Sequence, residues 1–201
     1  MKLIFEYSYI YDTHWKEFMC TLRKTSNYRL YKFSYPKEQV ISKYVKRLNN
    51  DDSLWSGKEG ERCLKMIESI TGLRWKEKTI KCYIVGNCIP ISVPLTVFMT
   101  YDHSKFFDNI LHELIHIILS SNYLKLKRFW SELEKIYGVR EGEFSVHIPL
   151  YAIQFKVLKE TFGEGAVLAE AKRGSSINKN YKKAIDIALR DEDKILEMLR
   201  D

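Results

Sequence analysis

Apolar and polar positions alternate along residues 2–11, with Leu3, Phe5, Tyr7, Tyr9 and Tyr11 on one side, and this period of two predicts a strand. "YRLYKFSY" (28–35) alternates in the same way and reads as its neighbour, after which Pro36 ends the strand and opens a helix over 37–49. "NNDDS" (49–53) has turn composition. The period then becomes helical over 58–71, with Cys63, Leu64, Ile67 and Ile70 inward, until Gly72 stops it. "TIKCYIV" (79–85) and "ISVPLTVFM" (91–99) read as two further strands around a "GNC" turn. Pro90 and Pro94 have no N–H to give to a ladder, so the second of these strands is expected to have an unpaired edge. From Ser104 onward the spacing is helical, over about 105–121, 123–137, 143–162 and 177–199. The last of these carries a stripe of Ile177, Tyr181, Ile185, Ala188 and Leu199, while "GEG" (163–165) and "KRGSS" (172–176) read as joints.

This order predicts an α+β fold. A small mixed or antiparallel sheet in the N-terminal half packs on a buried helix, and the C-terminal half is helical. The 201 residues suit a single domain over 1–201, with a sheet lobe (1–100) that includes two helices and a helical lobe (101–201). No apolar run approaches the roughly 18 residues of a membrane span. The first dozen residues carry Glu6 and tyrosines where a signal peptide needs an uninterrupted apolar stretch, so a cytoplasmic location is expected. The four cysteines (20, 63, 82, 88) form no CxxC pair, are poorly spaced for zinc, and are expected to be buried, unbridged thiols.

Charge changes the picture only at the N-terminus. The net charge is +7, and residues 1–50 hold 10 Lys and Arg against 4 Asp and Glu, which places +6 of it in the first quarter. That quarter is also aromatic, with Tyr7, Tyr9, Tyr11, Trp15, Tyr28, Tyr31, Phe33 and Tyr35. Interleaved bases and aromatics can form a stacking platform for single-stranded nucleic acid. The favoured reading is plainer: a twisted sheet with an aromatic face inward and lysines solvated outside.

The chemistry concentrates in "FFDNILHELIHIILSSN" (106–122). His112 and His116 are four apart, so on a helix their imidazoles leave the same side one turn apart and can grip one zinc ion. Glu113 projects about 100° round from His112, beside such an ion, where its carboxylate can take a proton from water that the metal acidifies. The flanks Ile110, Leu111, Leu114, Ile115, Ile117 and Ile118 are uncharged. Burying two imidazoles and a carboxylate among them without partners would cost several kcal/mol, and a metal supplies the partner.

"HELIH" in an apolar helix, preceded by a small sheet, resembles the zincin metallopeptidases. In that family an edge strand runs above the active-site helix and pairs with an extended peptide substrate, and the resemblance puts that strand at residues 91–99. The metzincin pattern HExxHxxGxxH is excluded, because Leu119 and Asn122 occupy its glycine and third histidine. The chain is more similar to the gluzincin branch, whose third ligand is a glutamate on a later helix, and most similar to the small soluble minigluzincins. The likeness is specific over 105–121 and suggestive over 91–99 and 141–162. It implies Glu143 as third zinc ligand, with Glu141 as the alternative, since on a helix or a strand the two cannot face the metal together. His147, four after Glu143, falls where gluzincins often brace a zinc histidine, and it could instead be a ligand or a transition-state hydrogen-bond donor. Pro149 sits comfortably only in a first helical turn, so Glu143 could lie just before the helix. Some minigluzincins resemble zymogens blocked by their own tail, and latency through either terminus stays open. Tyr151 and Tyr181 are two candidates to stabilise an oxyanion. Glu132 and Glu134 read as solvated, and His103 as a cap or surface residue; His14, beside Trp15, has no partner in view. The expected activity is zinc-dependent peptide hydrolysis. The alternative is a non-catalytic zinc protein, regulatory or binding single strands through residues 1–50.

Overall fold

The structure is a computed structural model that describes all residues except 26–34, 53–54, 56 and 140–142, and the side chains of 22–25, 51–52 and 143. It is an α+β fold, with a small mixed sheet in the N-terminal half and helices through the C-terminal half. The chain divides into two compact units, and each is made of two separate segments: Met1–Glu61 with Glu77–Glu113, and Arg62–Lys76 with Leu114–Asp201. Among the described residues no helix is long and apolar enough to cross a membrane.

The first unit holds the sheet. Strands β1 (Lys2–Tyr7), β2 (Thr79–Val85), β3 (Ile91–Ser92) and β4 (Leu95–Phe98) lie in the order β1-β2-β4-β3. The β1–β2 pair is parallel, from Lys2↔Thr79 to Tyr7↔Ile84, as is β2–β4, from Tyr83↔Thr96 to Val85↔Phe98. β3 turns back on β4 as an antiparallel hairpin, Ile91↔Thr96 and Ser92↔Leu95. The single edge strand expected over 91–99 is therefore two strands with Val93–Pro94 as the turn. β4 lies inside the sheet, and short β3 is the outer strand. Pro94 makes the hairpin, and an unpaired edge remains among the described residues, along the outer side of β3.

The N-terminal strand is shorter than its alternation suggested. β1 ends at Tyr7, and Ser8 starts helix α1 (Tyr9–Thr25) by accepting Asp12 N–H on its carbonyl (2.9 Å) and Tyr11 N–H on its Oγ (3.4 Å). Tyr9, Tyr11 and Trp15 are thus helical, and the expected inward aromatic face reduces to Leu3, Phe5 and the half-buried Tyr7 on β1. Most of the strand expected over 28–35 lies outside the described residues. Asp12 is the one buried residue of the described part of α1. Its carboxylate accepts from Tyr7 Oη (3.2 Å), Gly86 N–H (2.8 Å) and Tyr35 Oη, and so ties α1 to β1 and to the turn after β2.

Helix α2 (Glu38–Arg47) buries Ile41, Tyr44 and Val45 and runs into a π-helical turn at Leu48–Asp52, where turn composition was expected. The first half of helix α4 (His103–Ser121) packs in this unit: the Phe106 ring meets Phe5 (5.9 Å) and Tyr44 (5.8 Å), and Phe107 stacks on Trp55 (4.7 Å).

The second unit is helical. Helix α3 (Lys58–Thr71) buries Cys63, Leu64 and Ile67, with Ile70 only half-buried, and ends at Gly72, whose φ of 68° suits a residue without Cβ. α5 (Lys127–Tyr137) is followed by α6 (Glu143–Phe162), whose middle is buried on every side, since each residue from His147 to Phe155 is buried. Pro149 lies inside α6, beyond its first turn, so the helix begins at Glu143 despite the proline's missing N–H. The joints expected at 163–165 and 172–176 are largely the two ends of a helix, α7 (Glu164–Ser175). Its Gly174 faces Ile185 and Tyr151 so closely that a Cβ would come within 2.9 Å of the Tyr151 hydroxyl. The last helix, α8 (Lys179–Arg200), buries Ala184, Ile185, Ala188, Ile195 and Leu199 along one stripe, whereas Ile177 lies outside the helix and is exposed.

Candidate metal centre

His112, Glu113 and His116 lie in the middle of α4, whose apolar neighbours Ile110, Leu111, Leu114, Ile115 and Ile118 are fully buried. One unbroken helix fixes these three side chains relative to one another. His147 comes from α6, where it is buried, and its ring meets His116 edge-on at 5.0 Å and 84°. One nitrogen each from His112, His116 and His147 lies within 4.8 Å of the other two.

The three histidines could hold a metal ion, and imidazole nitrogens are donors that zinc accepts. Zinc binds imidazole at about 2.0–2.1 Å, so nitrogens around a tetrahedral ion sit roughly 3.4 Å apart. Even at the outer limit of 4.8 Å, an equidistant ion would lie about 2.8 Å from each nitrogen, so each has less than about 1 Å to close. Three imidazoles also match the ligand number that keeps one position open for chemistry.

Burial sets the protonation of the site. Loss of hydration pushes His116 down to about 4, helped by the neighbouring His147, so its ring is neutral and able to donate a lone pair at physiological pH. Loss of hydration raises Glu113 to about 7, a range suited to exchanging protons near neutrality. Glu113 stands close enough to Cys82 on β2 and to Cys88 for its charge to raise both thiols, on top of a larger effect of burial.

The remaining predicted residues fall as follows. Glu143 is the first residue of α6, one turn before His147; its side chain, like all of Glu141, lies outside the described residues. Tyr181 packs against His147 with ring centroids 4.5 Å apart, while Tyr151 is 6.1 Å away and fully buried. Asn122, at the metzincin histidine position, serves the fold: its Nδ2 donates to Ile118 O (2.9 Å) and Arg74 O (3.0 Å). His103 is exposed at the start of α4, and the cap is Asp102, which accepts from Lys105 N–H (3.0 Å). His14 is exposed; Glu132 pairs with Arg128 (3.0 Å) and Glu134 is exposed. All four cysteines are unbridged, three of them buried and Cys20 exposed.

Two features escaped sequence reasoning. Asp12 gave no signal beyond an acidic residue in a first helical turn, and the approach of Cys82 and Cys88 to Glu113 depends on sheet pairing that spacing does not encode. No protein-family model, curated protein or solved structure matches the chain.

Proposed function

We propose that this protein is a zinc-dependent peptidase. One observation carries the reading: a buried helix presents two imidazoles and a carboxylate in HExxH spacing, and a second helix brings a third imidazole within 4.8 Å of both. His112 and His116 would hold the ion, with His147 as the third donor; Glu143, which the zincin resemblance names as ligand, is the alternative, and His147 would then brace a zinc histidine. Bound there, zinc would supply a Lewis acid that acidifies water and polarises a carbonyl.

The chain's own residues supply the proton chemistry. The Glu113 carboxylate accepts a proton from the attacking water and passes it to the leaving amine nitrogen. Its burial among apolar residues keeps that proton affinity near neutrality. An extended peptide would be held by backbone hydrogen bonds at a free sheet edge. Val97 and Phe98 of β4 lie beyond the two residues that β3 covers, which makes them the first candidates. The unbridged thiols are in keeping with a reducing compartment such as the cytoplasm.

The test joins metal analysis to a peptide-library digest. The purified chain should carry about one zinc and cleave peptides in a chelator-sensitive way. Glu113→Gln should retain zinc and fold yet lose turnover. A zinc-loaded Glu113→Gln that cleaves as fast as the parent would remove Glu113 from its role.

A second reading is favoured by the surface of α1, where Tyr9, Tyr11 and Phe18 are exposed within the basic first quarter. It takes the chain as a non-catalytic zinc protein that binds single-stranded nucleic acid. Binding that weakens steeply with salt, without any peptide cleavage, would favour it.

A further inference from the structure

An imidazole holds a metal well only when its ring is held first. Rotation about the histidine χ2 is broad and roughly two-fold, so neighbours must fix the direction of the nitrogen lone pair. His147 is enclosed by rings. His116 meets it edge-on at 5.0 Å, Tyr151 from the next turn of α6 lies 6.1 Å off, and Tyr181 covers it at 4.5 Å with the planes tilted by 45°.

Tyr181 differs from Tyr151 in belonging to another helix, at the first turn of α8, where it is only half-buried. That turn is fastened by its own cap. Asn178 Oδ1 accepts from Asn180 N–H (2.9 Å) and Tyr181 N–H (3.0 Å), and Asn178 O accepts from Lys182 N–H (3.1 Å). Beside the His147 ring these residues leave a cavity of only about 30 Å³, lined by Phe144, His147, Asn178, Asn180 and Tyr181, which has room for about one water. A ring so enclosed has little freedom to swing.

We infer that Tyr181, held by the Asn178 cap, is a positioning residue for the metal centre that fixes the His147 imidazole in the orientation an ion needs. It acts by packing, so the ring matters and the hydroxyl does not. The inference rests on the metal reading given above.

The experiment measures zinc affinity by competition with a chromophoric chelator, together with the ring proton resonances of His147 in the zinc-free chain. Tyr181→Phe should bind zinc within about threefold of the parent, whereas Tyr181→Ala should lose about 10–100-fold, the usual scale for a residue that orients a ligand. In Tyr181→Ala the His147 ring protons should also lose the shift imposed by the neighbouring aromatic ring. Asn178→Ala should weaken zinc by a smaller factor and Asn178→Asp, which restores the cap, should recover it; this pair carries the test if Tyr181→Ala does not fold. Zinc affinity unchanged in Tyr181→Ala, or lost equally in Tyr181→Phe, overturns the inference alone. A parent chain that takes up no zinc overturns the metal reading and the inference with it.

Discussion

Replacing His147 by phenylalanine separates the two ways in which this centre can be built. The substitution keeps a ring where His147 now packs, 5.0 Å from His116 and 4.5 Å from Tyr181, and deletes both nitrogens, so the buried core loses little volume. Zinc sites with four protein ligands bind with apparent free energies of about 10–16 kcal/mol, or roughly 3 kcal/mol per ligand. As the third donor, His147 is therefore worth about a hundredfold in affinity or more. As a brace behind a zinc histidine it is worth about 10–100-fold, and Glu143→Ala would then show the larger loss. Three nitrogens that all lie within 4.8 Å of one another are compatible with the first arrangement. Competition against a chromophoric chelator gives both affinities. Imidazole rescue of His147→Ala, whose cavity can admit the free ring, distinguishes a missing ligand from a missing brace. A His147→Phe chain that binds zinc within about threefold of the parent while Glu143→Ala loses the metal would refute the three-histidine centre and return the site to a gluzincin pattern.

Other parts of the molecule give independent checks. Asp12→Ala removes the carboxylate that accepts from the Tyr7 and Tyr35 hydroxyls and the Gly86 N–H, and should cost about 3 kcal/mol in urea unfolding, since hydrogen bonds to a charged group are worth about 1.5–3 kcal/mol each; a cost below about 1 kcal/mol would mean that α1 is held by something else. Gly174→Ala should cost about 1–3 kcal/mol in thermal unfolding, because its Cβ would meet the buried Ile185 Cδ1 at 2.7 Å and the Tyr151 hydroxyl at 2.9 Å; an unchanged or raised melting temperature would mean that the two side chains yield freely. In the native chain a thiol-alkylating reagent at neutral pH should modify Cys20 alone, with Cys63, Cys82 and Cys88 reacting after denaturation; rapid labelling of Cys88 would contradict the burial that raises its thiol.

Sequence legibility followed the strength of local signals. β2 was bounded correctly because "TIKCYIV" is an uninterrupted β-rich run, and α3 because its apolar stripe ends at a glycine that must take a positive φ. α1 was lost to the accident that Tyr9 and Tyr11 continue the alternation of β1, although the cap at Ser8 had already changed the period. α7 was invisible for the opposite reason. Its glycines argue against a helix locally, and one of them is required by the close approach of Ile185 and Tyr151. At the centre, His112, Glu113 and His116 could be read from spacing along a single helix. The nearness of His147 to them was implied by the family resemblance alone, because spacing cannot say how two helices pack.

The two compact units trade segments along the chain. Residues 62–76 leave the first unit's sequence to join the second, and the polypeptide changes unit again after Glu113, within α4. No single cut can therefore release either unit whole, and a protease nick in the 72–78 loop would sever both at once. During synthesis β1 must wait for β2 to emerge before it can pair, and α3 waits longer still, for residues beyond 113.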